Sequence, residues 1–338
     1  KLQELMADRL NKGQQTILFL NRRGYAGFVS CRSCGEVMKC PHCDVSLSEH
    51  KGGRLICHYC GYTQPMPKLC PKCGSKYILG FKAGTQQIEE KLKELYPGVR
   101  TLRMDADTTR TKDSYEEILS SFANGEADVL IGTQMIVKGH DFPKVTLVGI
   151  LAADLSLNAS DYRAGERTFQ LLTQAVGRAG RGSKAGEAVI QTYMPEHYSI
   201  QTAAKQDYDA FYEQEILYRE LMGYPPVDEM LGIYLSGKDL EKLESCAEQL
   251  AEWIRNAHVE GLCLIGPADA ALARKNDSYR KVIYMKHEKK IILLKIKKLL
   301  EQQIAGTDNW NDIVEDDEIQ IVVTDAKKRR QYYDEYGL

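Results

Sequence analysis

The sequence predicts an α/β chain: a mononucleotide-binding domain on a parallel sheet, interrupted by a cysteine-rich module and followed by a smaller α+β domain of ferredoxin-like order. Three observations carry that reading. Residues 127–132 (ADVLIG) and 145–151 (VTLVGIL) are apolar on both faces and alternate with amphipathic helices, the pattern of a parallel sheet covered on both sides. Eight of the ten cysteines fall in four CxxC pairs between Cys31 and Cys73. Beyond Pro226 the periodicities run βαββαβ.

With 338 residues the chain is long enough for two or three domains with cores of their own. It begins at Lys1 rather than Met and is expected to be a piece of a longer polypeptide. No apolar run reaches the length of a membrane span and no signal peptide is present, so a soluble cytoplasmic protein is expected. A net charge of −2 does not advertise nucleic acid, and any DNA contact must come from local clusters or from the fold.

Taken in order, residues 2–10 read as a short helix and residues 16–21 (TILFLN) as a buried strand. That strand delivers Arg22 and Arg23 to the turn Gly24-Tyr25, at the sheet edge where ligands of open α/β folds bind. A solvated turn is the competing reading of the same residues.

The pairs CRSC, CPHC, CHYC and CPKC then stand among Gly, Pro and Lys with almost no apolar residues. Such a segment cannot fold on burial alone, so metal–thiolate bonds must hold it. Eight thiolates supply two tetrahedral zinc sites. A nested arrangement is favoured, with Cys40, Cys43, Cys57 and Cys60 closing an inner ribbon and Cys31, Cys34, Cys70 and Cys73 clamping its base. The two ends of the module would then lie side by side; spacing leaves a cross-braced pairing open. From residue 31 to 82 the eight Lys/Arg exceed the three Asp/Glu, but two zinc tetrathiolates of about −2 each leave the module near neutral. Cys246, on an apolar helix face, and Cys263, in a strand, are read as core.

Strands at 77–81, 99–104, 127–132, 145–151 and 187–193 alternate with helices at 86–96 and 112–122 and with an arginine-bearing helix at 163–181. In the segment Gly132-Thr133-Gln134, the glycine allows a tight turn and Thr133 offers a hydroxyl and an amide at a helix N-terminus, a phosphate site. Asp141 is the only carboxylate of the loop that follows. In QAVGRAGRG a helix would project Gln174, Arg178 and Arg181 from one face, since they stand at i, i+4 and i+7. Two guanidiniums so placed match a polyphosphate. Thr133 and this helix are expected on one and the same sheet edge.

Residues 195–220 read as helical and carry five aromatic side chains, suited to stacking on bases and better suited to packing against a neighbouring domain. Tyr224-Pro225-Pro226 marks a boundary. After it come a strand at 230–236, a helix striped by Leu240, Leu243, Ala247, Leu250, Ala251 and Ile254, strands at 261–265 and 279–286, a helix at 288–304 and a strand at 318–324. Seven lysines, among them Lys281, Lys286 and Lys289, are expected to crowd one region, as a solvated face or a DNA contact.

Together ILFLNRRGY, LIGTQMIVKGHDFP and QAVGRAGRG resemble motifs IV, V and VI in the second motor lobe of superfamily 2 helicases. The paired cysteine clusters, DYRAGERTFQLLTQAVGRAGR and Tyr224-Pro225-Pro226 narrow the resemblance to the bacterial replication-restart helicases. It covers nearly the whole chain, although the end, residues 325–338, departs from the family pattern.

The resemblance implies a RecA-like helicase lobe at 1–30 and 76–194, a two-zinc insert with four cysteines per site at 31–75, a helical linker at 195–229 and a ferredoxin-like domain at 230–338. It also implies that Arg178 and Arg181, with Gln174 beside them, act on the γ-phosphate of ATP. Gly139 and Asp141 would lie near the nucleotide, while Thr133, with Gln134, Arg22 and Arg23, would hold DNA. Two structural Zn2+ ions, ATP and Mg2+ are the implied cofactors. Branched forks, D-loops, single-stranded DNA, single-stranded DNA-binding protein, and primosome and helicase-loader proteins are the implied partners, in a bacterial cytoplasm at the nucleoid. No GxxxxGK[ST] loop and no acidic metal-binding box occurs in the chain, so the first motor lobe is expected upstream and this piece should be inactive alone. The alternative is a non-catalytic zinc and ferredoxin-like scaffold that binds DNA or primosome proteins.

Overall fold

The computed structural model describes residues 1–20, 29–42, 45–50, 53–57, 60–80, 84–105, 108–109, 112–133, 142–159, 161–180, 185–275, 277–306 and 319–325. They form two compact units, 1–38 with 67–215 and 39–66 with 216–338, so the cysteine-rich insert contributes to both. Among the described residues, no helix is long and apolar enough to cross a membrane.

The first unit is built on five parallel strands in the order β10-β9-β1-β8-β7. These are β1 (Gln15–Leu20), β7 (Thr101–Met104), β8 (Val129–Gly132), β9 (Val145–Leu151) and β10 (Glu187–Ile190). Alternation along each strand sends side chains to opposite faces. Ile17 and Phe19 of β1 join Leu119 and Phe122 of α3 (Lys112–Asn124) and Phe169 and Leu172 of α5 (Ala164–Val176) in one core. Leu18 joins Met6 of α1 (Leu2–Asn11) and Leu92 of α2 (Thr85–Leu95) in another on the opposite face. Both faces are therefore covered, as apolar strands of this kind require. The expected helix at 195–220 is two helices, α6 (Tyr198–Lys205) and α7 (Tyr208–Met222). Gln206 breaks them at φ +56, and the Asp207 carboxylate accepts the amide of Ala210 to start the second. Phe211 stacks on Phe169 with centroids 4.2 Å apart, and the phenol of Tyr198 donates to buried Glu215 at 2.7 Å. This part of the aromatic run is packing.

The two ends of the insert pair as a small antiparallel sheet, β2 (Val29–Cys31) with β6 (Ile78–Gly80), and so lie side by side. Its middle, in the second unit, is a three-stranded ribbon of β3 (Ser48–His50), β4 (Arg54–Ile56) and β5 (Thr63–Pro65).

The rest of the second unit is an antiparallel sheet in the order β12-β13-β11-β14, comprising β11 (Glu229–Gly237), β12 (Cys263–Lys275), β13 (Ser278–His287) and β14 (Ile319–Asp325). Helices α8 (Leu240–Asn256) and α9 (Lys290–Gly306) cover one face through Leu231, Ile233, Leu235, Ile283 and Met285. This is the expected ferredoxin-like order, with β12 running well beyond the five residues read from the sequence. Two details differ. Cys263 is exposed rather than core, whereas Cys246 is buried, which pushes its thiol up to about 11. Lys281 and Lys286 do not share a region: Lys281 pairs with Glu244 and Asp269 at 2.7 and 2.9 Å, while Lys286, on the opposite face by strand alternation, donates to the carbonyl of Met222 at 2.8 Å.

Candidate functional site

The arginine segment is built by two glycines. Helix α5 stops at Val176 with Gly177 as its cap, so Arg178 lies in the turn that follows and not on the helix, contrary to the expected run to Arg181. Helix propensity is weakest where Gly177 and Gly180 stand, and the chain there turns through tighter bonds, Arg178 N–H to Ala175 O and Ala179 N–H to Val176 O, both 3.1 Å. Gly180 adopts φ +73, and its amide donates to the carbonyl of Val145 at 3.1 Å. An added Cβ at Gly180 would sit 2.4 Å from the backbone nitrogen of Gly186, so two backbones cross where no side chain fits.

Val145 is the first residue of β9, which places the Arg178 turn at the amino edge of the sheet. Thr133 follows Gly132, the last residue of β8, and its amide reaches the carbonyl of Met104 at the end of β7, at 3.4 Å. Thr133 is therefore at the carboxyl edge. The expectation that both share one edge is overturned. In register, Gln15 of β1 pairs with Val145 and Phe19 with Gly132. Four residues of strand, or about 13 Å, separate the two levels. The reason lies in connectivity: α5 leads into β10, a parallel strand, and must finish where that strand begins. Gln174 is exposed on the last turn of α5, and Arg178 and Thr133 are half-buried. Arg22, Arg23, Gln134, Gly139, Asp141 and Arg181 lie outside the described residues.

The carboxyl edge holds a residue that the sequence reading passes over. Asp154, buried just past the end of β9 at the start of the short helix α4 (Asp154–Leu157), accepts the hydroxyl of Thr192 at 2.8 Å and the amide of Tyr193 at 3.1 Å. It ties the chain after β9 to the chain after β10. A carboxylate placed directly after an apolar strand, in Ala152-Ala153-Asp154, is the available signal.

Among the described residues, the cysteine pairs beginning at Cys31, Cys57 and Cys70 form knuckles of one design. In each, the amide of the residue just past the pair closes a turn onto the carbonyl of its first cysteine: Gly35 N–H to Cys31 O at 2.9 Å, Gly61 to Cys57 at 3.0 Å and Gly74 to Cys70 at 2.9 Å. All three glycines have φ between +72 and +77, which is why CxxC is followed by Gly in three of the four pairs. Cys31, Cys34, Cys70 and Cys73 bring their sulfurs within 4.8 Å of one another, and Cys40, Cys57 and Cys60 do the same. This is the nested grouping; Cys43 lies outside the described residues. The pairs Cys31–Cys73, Cys34–Cys70 and Cys40–Cys60 stand 3.6, 3.7 and 3.5 Å apart. Four sulfurs at about 2.3 Å from one zinc ion would be about 3.8 Å apart, so the frames fit that metal.

The thiol chemistry agrees. Burial raises Cys31, but backbone amides of Cys34 and Ser33 and its thiol neighbours overcome this and bring it down to about 6. The backbone amide of Glu36 lowers Cys34, yet burial and the adjoining thiols push it up to about 12. One thiolate forms readily and the next does not, which is the repulsion a divalent cation removes.

Three family descriptions match this chain: PriA DNA helicase Cys-rich region (CRR) domain at residues 40–65, helicase conserved C-terminal domain at 69–183, and primosomal protein N C-terminal domain at 220–317. Fold, metal frames and matches define the C-terminal lobe of a helicase, carrying a zinc-binding cysteine module and an α+β domain. Replication restart protein PriA of Bacillus subtilis is 46% identical over 89% of this chain and 38% of its own length. Those of Synechocystis and Haemophilus influenzae are 42% and 38% identical over 92% and 87% of this chain and 38% and 40% of theirs. The chain belongs to the PriA family of replication restart proteins and spans about two fifths of the length of these relatives. Among solved structures, S. cerevisiae Dbp5 bound to RNA and ADP BeF3 is 14% identical over 65% of this chain and 42% of that one, with a TM-score of 0.30.

Proposed function

We propose that this chain is the C-terminal part of an ATP-dependent 3′→5′ DNA helicase that recognises stalled forks and D-loops and initiates primosome assembly. The observation that carries the reading is the separation of the two motif sites to opposite ends of one sheet. Arg178, at the amino edge, serves the γ-phosphate with Gln174; Arg181, Gly139 and Asp141 are further nucleotide contacts in this reading, and a first lobe supplies the phosphate cradle and Mg2+. Thr133, at the carboxyl edge, holds the tracked strand, and Gln134, Arg22 and Arg23 are further DNA contacts in this reading. A sheet with a ligand at each end converts closure on ATP into a shift of the grip on DNA, because its strands move as one rigid body. This piece lacks the first lobe's motifs and is inactive alone. In the cell it acts in the cytoplasm at the nucleoid, with single-stranded DNA-binding protein and primosome and loader proteins as partners.

The test is Arg178→Ala in the protein carrying both lobes. DNA-stimulated ATP turnover should fall on the order of 10³-fold or more, the scale of an arginine finger. Undiminished turnover would leave the non-catalytic scaffold as the better account.

A further inference from the structure

The two metal frames, alike in their chemistry, belong to different bodies. Cys31, Cys34, Cys70 and Cys73 fall in the first unit, whereas Cys40, Cys57 and Cys60 fall in the second, with the C-terminal sheet. That sheet has two buried faces. Val282 and Tyr284 of β13 alternate with Ile283 and Met285, and Tyr234 of β11 stands between Ile233 and Leu235, so all three point away from α8 and α9. They are buried nonetheless, as are Ser236, Arg280 and Lys286 on the same face.

Two stretches of the unit lie against this second face. The run into β11 is one: the ring of Tyr224 lies 4.6 Å from the ammonium of Lys286, which also donates to the carbonyl of Met222. The inner metal knuckle is the other. An added Cβ at Gly61, the residue just past Cys60, would lie 3.4 Å from the carbonyl oxygen of Pro267 and 3.7 Å from the Cβ of Ala268. Gly61 therefore packs on β12 with the space of about one methyl group between them. Ala268 is buried and stands opposite Val282, which puts this contact on the second face. The strand is shaped for it. Between Ile265 and Ala268 the register of β12 against β13 shifts by a bulge, and Gly266 within it has φ +98, with an added Cβ 2.8 Å from the carbonyl oxygen of Val282.

The metal frame decides where Gly61 falls. Its amide closes the Cys57 turn, so the sulfurs of Cys57 and Cys60 and the backbone that meets β12 are parts of one knuckle. The ribbon around them has three strands of three residues each, too little for a core of its own, yet Val45, Leu47 and Leu55 are buried. It needs both a metal and a neighbour.

We infer that the inner zinc frame is a clasp of the C-terminal domain: it seats the ribbon on the second face of the β12-β13-β11-β14 sheet through Gly61, Pro267 and Ala268, while the outer frame serves the lobe. The chain enters this unit at residue 39 and again at residue 216, and only the first entry depends on metal. Linkage makes the dependence reciprocal. Zinc at Cys40, Cys57 and Cys60 stabilises the sheet, and a loosened seat gives up that zinc more readily. This holds whether or not the lobe turns over ATP.

The test is amide hydrogen exchange, read by mass spectrometry, on the zinc-loaded 338-residue chain. Cys57→Ser should quicken exchange in β12 and β13 on the order of 5- to 150-fold, the usual span of coupling between two sites, and leave β1 and β8 of the lobe protected. Cys31→Ser, in the outer frame, should leave β12 and β13 as they were. In the reverse direction Ala268→Leu, which touches no cysteine, overfills the seat of Gly61 and should speed release of one of the two zinc ions to a chelating dye by a similar factor. Unchanged exchange of β12 and β13 in Cys57→Ser would overturn the proposal. Equal loss of protection in β1 and β8 would overturn it too, because the frame would then serve the whole chain. Should Cys57→Ser unfold the second unit outright, Ala268→Leu decides: zinc leaving at the parent rate, or faster from both frames alike, means that the ribbon is not seated on this sheet and the proposal is wrong.

Discussion

Gly180→Ala isolates the crossing that positions the Arg178 turn. The new methyl would lie 2.4 Å from the nitrogen and 2.9 Å from the Cα of Gly186, where ordinary contact begins at 3.4 Å, so the two backbones must part by about 1 Å. The residue must also keep φ +73, a conformation that costs an L side chain about 1–2 kcal/mol. If the turn moves, the bond from Gly180 N–H to Val145 O is lost, worth about 1 kcal/mol. The sum, roughly 2–3 kcal/mol, lowers the melting temperature of the lobe by about 5–10 °C at about 2–4 °C per kcal/mol. A displacement of ~1 Å at a charge-stabilising group costs about 10²-fold in rate. Gly186→Ala meets the same crossing from the other side, at 2.2 Å from Gly180 N, and the double variant should cost less than the two singles added, because one separation relieves both. Calorimetry of this chain and ATP turnover of the two-lobe protein read the two effects. An unshifted melting temperature together with full turnover would refute the argument that this crossing places Arg178.

Three further outcomes follow. Each chain should bind two zinc ions; Cys31→Ser should release one and Cys57→Ser the other, and a substitution that empties both sites would show that the two frames, which lie in separate units, are not independent. Zinc should leave as the solution is acidified, since protons compete for the thiolates, with dye-based metal release as the readout. Partial burial alone would raise Asp128, but the side chain and amide of Arg100, at 2.5 and 3.0 Å, hold it below the ordinary carboxylate value. Its stabilisation is complete above the unfolded value near ~3.9 and is lost as pH falls through the lower folded value. With Arg100 largely exposed, Asp128→Asn should cost under ~1 kcal/mol at neutral pH in denaturant titrations, and nothing once the carboxyl is protonated in both folded and unfolded chains.

Much of this fold is readable in the residues. Strands apolar on both faces, such as VTLVGIL, can only lie inside a covered parallel sheet, and the stripe of Leu243, Ala247 and Leu250 can only face a core. CxxC followed by Gly announces the knuckles, because the turn demands a left-handed residue. Two departures at the site have physical causes. Spacing at i, i+4 and i+7 draws the arginine helix too long when it is weighed above the two glycines that end it. A shared edge follows from where ligands usually bind in open α/β sheets, but a helix leading into a parallel strand ends at that strand's start, and this second rule decides otherwise. The tie from Asp154 to Tyr193 is not legible in the sequence, since it joins two loops that only the sheet brings together.

The central claim is that one sheet serves ATP at its amino edge and DNA at its carboxyl edge. Titrating single-stranded DNA into the two-lobe protein and following ATP turnover tests it directly. Arg178→Ala should collapse the maximal rate and leave the half-saturating DNA concentration where it was; Thr133→Ala should raise that concentration and spare the rate at saturation. If both substitutions moved the same parameter, the two edges would not be serving two ligands.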